Sequence, residues 1–400
     1  MKKIVETDIV IIGGGIAGLW LLNRLRQIGY SVILLESKAL GAGQTNKSQG
    51  IIHGGVKYAL QGMMTVAAEA IAEMPKIWNE CLHGKGVIDL SEVPILSEHQ
   101  YLWSTGSLAS KIATFFASMS LKGNVQELKR DDFPLIFQNP QFKGQVYSLD
   151  EIVIDVLALV RELVKPNQDV IFKIDPLQDE QLIFNAQGQL TSLEIQAEPI
   201  EPIHVKAEKY IFTAGAGNES LLASLKNKGI AMQRRPLHMV VAKTGFSQTL
   251  YAHCLGLSST PRITITTHKT EEGEFVWYIG GQIAEEGIKR DSQEQIEATK
   301  KELMELFPWL DFSKTEFATF FVDRAEPLQP DGTRPESCYA KEVENVIAAW
   351  PTKLALAPKL ADEIIAILNR DNVKKELADL RLLRAWPIPA LAKPVWDELL

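Results

Sequence analysis

Three glycines spaced Gly13-x-Gly15-x-x-Gly18 stand between the β-branched run Asp8–Ile12 and a stretch with leucines at helical intervals, and Glu36 closes the next apolar run. In that context the first glycine permits a tight turn. The second lets a pyrophosphate approach the backbone, and the third lets helix and strand pack closely. The helix start offers free N–H groups and positive dipole character to phosphates, and an acid at Glu36 can accept hydrogen bonds from a ribose hydroxyl. The chemistry expected here is dinucleotide binding.

Other residues point to what the dinucleotide serves. The polar segment Gln44-Thr45-Asn46-Lys47-Ser48-Gln49-Gly50 can deliver hydroxyl and backbone donors to a pyrophosphate and approach a flavin ring. Thr213-Ala214-Gly215-Ala216-Gly217 is a second close-approach turn, and Trp350-Pro351-Thr352-Lys353-Leu354-Ala355 leads into a late helix. A helix start there would place N–H donors and positive charge beside the flavin N1/C2 carbonyl, favouring the anionic reduced ring. His53, followed by two glycines, reads as a base or hydrogen-bond donor near the ring, against the plainer reading of a packed loop histidine. Lys57, Arg324 and Lys353 are candidate anion holders. Tyr58 is balanced between a pocket hydroxyl and packing, Tyr278, before Gly280-Gly281, could line the pocket from the second sheet but reads slightly better as strand core, and Arg234-Arg235 reads as a solvated pair. His83, His99, His204, His238, His253 and His268 show no metal-binding spacing, so no metal is expected. His238 and His253 alone retain a site reading, because both fall in the expected substrate domain.

The elements that must position these groups follow from periodicity. Asp8–Ile12 and Ser31–Glu36 read as buried parallel strands around a helix over 17–29. Helices are expected over 63–82, 150–164, 292–307 and 354–368. Strands are expected between 169 and 215 and between 237 and 282, with a late one at 346–350. Strand–helix segments at both ends enclose a β-rich middle. The expected organisation is a discontinuous cofactor domain (1–90, 145–235 and 326–370), a substrate domain (91–144 and 236–325) and a C-terminal tail (371–400).

Composition narrows the function classes. Of 400 residues 46% are hydrophobic and 23% charged, as in a globular protein. With 42 basic against 50 acidic residues the net charge is −8, which disfavours a nucleic-acid partner. Three scattered cysteines and no Cys-x-x-Cys argue against a disulfide framework and fit a reducing compartment. No apolar run of about 20 residues suggests a transmembrane segment. The expected location is cytoplasmic, with peripheral membrane attachment as the alternative.

The chain resembles the FAD-dependent oxidoreductases of the D-amino-acid oxidase superfamily over nearly all of residues 5 to 370. In motif it is most similar to flavin-linked glycerol-3-phosphate dehydrogenases. The likeness lies in Ile52-His53-Gly54-Gly55-Val56-Lys57-Tyr58, in Lys353-Leu354, and in Asp323-Arg324-Ala325-Glu326-Pro327. Lys57 stands where that group has arginine, and Pro351-Thr352 where it has two glycines. Hydroxy-acid oxidases of the superfamily carry a similar histidine loop. The resemblance implies an α/β fold, an FAD-binding Rossmann-like domain of glutathione-reductase type with a second antiparallel-sheet substrate domain. It implies FAD held by Gly13, Gly15, Ile16, Ala17, Gly18, Glu36, Ser37, Gln44, Thr45, Asn46, Ser48, Gly50, Ala214, Gly215, Thr352, Lys353, Leu354 and Ala355. Catalytic roles would fall to His53, Arg324, Lys57 and Tyr58. The implied reaction is oxidation of a small anionic substrate, a hydroxy acid or glycerol-3-phosphate-like alcohol, by hydride transfer to flavin N5, with an unspecified electron acceptor. Amine or amino-acid oxidation, and a non-catalytic flavoprotein subunit, are the alternatives.

Overall fold

The computed structural model describes residues 3–54, 71–105, 125–225, 229–256 and 260–400. Two large sheets organise them. The first has the order 339–343, 346–350, 200–212, 4–12, 32–36 and 171–173, with strands 182–184 and 190–197 joined to the flank of 200–212. Strands 346–350, 200–212, 4–12, 32–36 and 171–173 are mutually parallel, so their carboxyl ends share one edge.

Continuous apolar runs build this sheet because both its faces are covered. Ile9 and Ile11 belong to one core, with the helices Ile16–Gln27, Val156–Val164 and Ala357–Arg370. Val10 and Ile12 belong to the core on the opposite face, with Tyr210, Phe212 and the flanking strands. The period of two along a strand makes this division automatic.

The second sheet has the order 316–327, 232–243, 275–280, 263–269, 252–254, 100–104, 145–149 and 125–127. One face buries an aromatic core of Trp103, Phe137, Phe142, Trp277 and Phe307 beneath the helix Ser292–Leu306. The other face holds Met239, Val241 and Tyr278, with Trp396 packed on them. Residues 387–396 form a strap between the sheets. Leu40 and Leu391 make a parallel bridge, Lys173 N–H donates to the Pro387 carbonyl, and Trp396 Nε1 donates to the Lys269 carbonyl at 3.0 Å.

Several expectations from periodicity need correcting. The run 150–164 is helical only over Val156–Val164, because Asp155 caps it, accepting from Leu157 and Ala158 N–H at 3.0 and 2.9 Å. Residues Val153–Ile154 are a short strand. Of the expected helix over 63–82 the described part includes Met74–Leu82, with a proline in its first turn, and 63–70 lie outside the described residues. The late helix opens with a 3-10 turn, Leu354–Leu356, and becomes α-helical at Ala357, where Pro358 suits a first turn that needs no N–H partner. Among the described residues, no helix is long and apolar enough to cross a membrane.

Candidate active site

The glycine turn, Glu36, the turn after Phe212 and the segment after Trp350 all leave the shared carboxyl edge of the first sheet, which is where ligands bind on parallel sheets. A Cβ on Gly18 would lie 2.0 Å from the Gly13 carbonyl oxygen, so only glycine lets this helix seat against the turn. A Cβ on Gly15 would meet only the Thr45 hydroxyl, at 3.1 Å, and so the turn is open there.

The segment 37–50 wraps this edge. Glu36 accepts from Gly14 N–H and from Lys38 N–H, both at 2.6 Å. Thr45 Oγ1 accepts from Ile16 N–H at 3.0 Å, and Gln44 Oε1 accepts from Ala325 N–H at 3.1 Å. Lys47 and Gln49 tie the loop to the second sheet: Tyr278 hydroxyl donates to the Lys47 carbonyl at 2.7 Å, and Gln49 Nε2 donates to the Tyr278 carbonyl at 2.9 Å. Tyr278 is thus strand core, as its sequence suggests, with burial pushing its phenol well above the ordinary value. Asn46 Oδ1 and Ser48 Oγ are closed off from solvent, with no hydrogen-bond partner among the described residues. Buried oxygens of this kind ordinarily have partners. The open cradle at Gly15 and these polar atoms fit a bound dinucleotide.

A second constellation centres on His53. Ile51 and Val153 form an antiparallel bridge, and Ile52 N–H donates to the Ile152 carbonyl at 2.9 Å. That register sets His53 opposite Glu151. His53 Nδ1 lies 3.1 Å from Glu151 Oε2, while Glu151 Oε1 accepts from Gly54 N–H at 2.8 Å. Glu151 is 1% exposed. The ring of His253 stacks on His53 at 6.0 Å, and its Nδ1 lies 2.8 Å from Thr264 Oγ1, its cross-strand neighbour. Neither Glu151 nor its pairing with His53 is visible from spacing, since 98 residues separate them. The absence of local metal-binding spacing likewise conceals this His–Glu–His group.

The third constellation surrounds Arg324, which lies within the strand Glu316–Pro327, three residues before the strand ends. Its Nε donates to the Arg235 carbonyl at 2.9 Å, and Glu285 stands 3.8 Å from its guanidinium. Arg235 is no solvated residue: Glu326, 1% exposed, accepts from its Nε and Nη2 at 2.7 and 2.9 Å. Arg234 does lie at the surface, paired with Glu219 and Asp323. Burial first, then the charges of Arg235 and Arg334, push the Arg324 guanidinium down from 12.5 to about 10, against the opposing pull of Glu326 and Glu285. Arg334 Nε is also closed from solvent and lacks a partner among the described residues. Three guanidiniums therefore face two carboxylates, an excess of positive charge suited to an anion. Gln44 joins this group to the cofactor loop through Ala325. Lys353 is 8% exposed and begins the 3-10 turn. Lys57 and Tyr58 lie outside the described residues.

Comparison with known proteins agrees with this geometry. A probable FAD-dependent oxidoreductase of Pseudomonas aeruginosa is 45% identical over 401 residues, covering 99% of both chains. The crystal structure of an FAD-dependent oxidoreductase from that organism matches at a TM-score of 0.85 and 41% identity, over 100% of this chain and 99% of the other. An alpha-glycerophosphate oxidase of Streptococcus pneumoniae is 25% identical over 63% of this chain and 43% of its own length. Glycine oxidase of Geobacillus kaustophilus shares the fold, with a TM-score of 0.64, 13% identity, and 94% and 97% of the two chains covered. The family model for FAD dependent oxidoreductases matches residues 8–335. With its glycine turn at the carboxyl edge of a parallel sheet and a second sheet that is antiparallel except where 252–254 pairs with 100–104 in parallel, this chain belongs to the DAO family of FAD-dependent oxidoreductases, and FAD is its cofactor.

Proposed function

We propose that the chain oxidises a small anion bearing a hydroxyl group, a hydroxy acid or a glycerol-3-phosphate-like alcohol, the flavin receiving hydride at N5 from the carbon that carries the hydroxyl. The observation that carries this reading is the buried Glu151 carboxylate beneath His53. Alcohol oxidation requires removal of the hydroxyl proton, whereas a neutral amine can be oxidised without a strong base. Glu151 accepts from His53 Nδ1–H and so directs the imidazole lone pair to Nε2, the atom that takes the hydroxyl proton. The carboxylate then faces the imidazolium that results. Arg324, with Arg334 nearby, binds the carboxylate or phosphate of the substrate, Lys353 is a further cation for it, and Lys57 and Tyr58 are assigned to the substrate by their place in the His53 motif alone. The name of the glycerophosphate oxidase relative supports such a substrate class.

For the cofactor, the turn Gly13–Gly18, with Ile16 and Ala17 at the helix start, holds the pyrophosphate. Glu36 and Ser37 hold the adenosine ribose. Gln44, Thr45, Asn46, Ser48 and Gly50 close over the phosphates and ring. Ala214, Gly215, Thr352, Lys353, Leu354 and Ala355 line the remaining edge.

Anaerobic titration tests this reading. Hydroxy acids or glycerol 3-phosphate should bleach the flavin absorbance, and His53→Asn should slow bleaching by about 10²–10⁴-fold without loss of flavin. Bleaching by an amino acid at a rate indifferent to His53→Asn would replace the proposal with amine oxidation.

A further inference from the structure

We propose that His53, Glu151 and His253 form a binding site for a divalent transition-metal ion of the zinc class. Two imidazoles and one carboxylate are a donor set such ions accept. The three residues offer ligand atoms that all lie within 4.8 Å of one another. Glu151 and His253 are 1% and 2% exposed. His53 and Glu151, at 3.1 Å, already have the spacing of two ligands about 2.0–2.1 Å from a shared ion. Moving His253 inward by up to about 1.5 Å brings its ligand atom to the roughly 3.3 Å separation of tetrahedral ligands and completes the set.

Backbone pairing holds the donors in place. Residues 51 and 153 bridge one side, and His253 and Thr264 are register partners on the other. Each buried donor also has a supporting contact. Thr264 Oγ1 holds His253 Nδ1 at 2.8 Å, which turns Nε2 toward coordination, and Gly54 N–H holds Glu151 Oε1 at 2.8 Å. Such outer contacts orient ligands and tune metal affinity. The nitrogen-rich set disfavours calcium and magnesium, which take oxygen ligands. Resting on the reading of His53 as the base, the consequence is inhibition: an ion held by Nδ1 in place of its proton leaves the remaining ring proton on Nε2, which can then no longer accept the proton of the substrate.

Zinc chloride titrated calorimetrically into chelator-treated, flavin-loaded protein tests the site, with anaerobic flavin reduction as a second readout. One ion per chain should bind. His253→Asn keeps a polar contact for Thr264 but lacks the second nitrogen, and should weaken binding more than 100-fold. Thr264→Val should weaken it roughly 10–100-fold, and serves as the test if His253→Asn does not fold. No binding, or affinity unchanged in whichever of these variants folds, overturns the site. Zinc binding that depends on His253 but leaves substrate-driven flavin reduction unslowed keeps the site and instead overturns His53 as the base.

Discussion

Replacing Arg324 with alanine should separate substrate binding from stability in an unusual direction. The guanidinium is 20% exposed as a side chain, and its value falls from 12.5 to about 10, through burial and then the neighbouring Arg235 and Arg334 charges. At roughly 1.4 kcal/mol per pH unit, the charged form is held at a cost on the order of 3 kcal/mol. A cation that binds its proton less tightly when folded than when unfolded destabilises the fold. That cost is in full force below about pH 10 and fades as pH rises from there toward 12.5. An anion bound beside Arg324 offsets it, which amounts to roughly two decades in affinity. Arg324→Ala should therefore raise KM for the anionic substrate about 100-fold with flavin content unchanged. Without substrate, its melting temperature should equal or exceed that of the wild type, despite the lost bond to the Arg235 carbonyl. The wild type should also melt higher in saturating substrate, and the variant should not. A variant that melts well below the wild type while retaining its KM would refute the reasoning, marking Arg324 as a structural strand residue.

Gly15→Val should give folded, colourless protein, because a Cβ there meets only the Thr45 hydroxyl and the branched side chain beyond it takes the open cradle; full flavin absorbance in a well-folded variant would remove the phosphate from this turn. Glu36→Gln should lower FAD affinity in equilibrium dialysis, since a neutral amide is a weaker acceptor for ribose hydroxyls and for Gly14 and Lys38 N–H. Asp371 is held below its ordinary 3.8 by Arg370 first and then Lys209, so its contribution is present above about pH 4 and is lost as pH falls below it. A series of melting curves on acidification should accordingly be shallower below pH 4 for Asp371→Asn than for the wild type.

What could be read in the sequence was what lies close in the chain. The glycine turn, its flanking strand and helix and Glu36 occupy 33 residues, and their arrangement follows from backbone sterics and the parallel-strand pattern. Tyr278 was legible as core because it stands in the continuous apolar run Phe275–Ile279, as strands covered on both faces do. Glu151 was not, since its apolar neighbours Ile152 and Val153 suit a helix as well as a strand, and the pairing with His53 exists only once residues 51 and 153 meet. Arg235 looked solvated for a related reason. Its partner Glu326 lies on another strand, 91 residues away, and pairing across strands leaves no local trace.

The strap at 387–396 also bears on the order in which the molecule is completed. Leu40 leaves the ribosome about 350 residues before Leu391 reaches it, an interval of roughly 20–70 s at ordinary rates of synthesis. The nascent glycine turn waits longer than a typical small domain takes to fold, with the strand 200–212 emerging midway to pair beside the first strand. The segment 40–46 gains its last supports only when the Ala390 and Lys393 carbonyls arrive and Trp396 seats on the second sheet. A chain stalled before residue 387 would therefore carry its glycine turn without the strap that closes beside it.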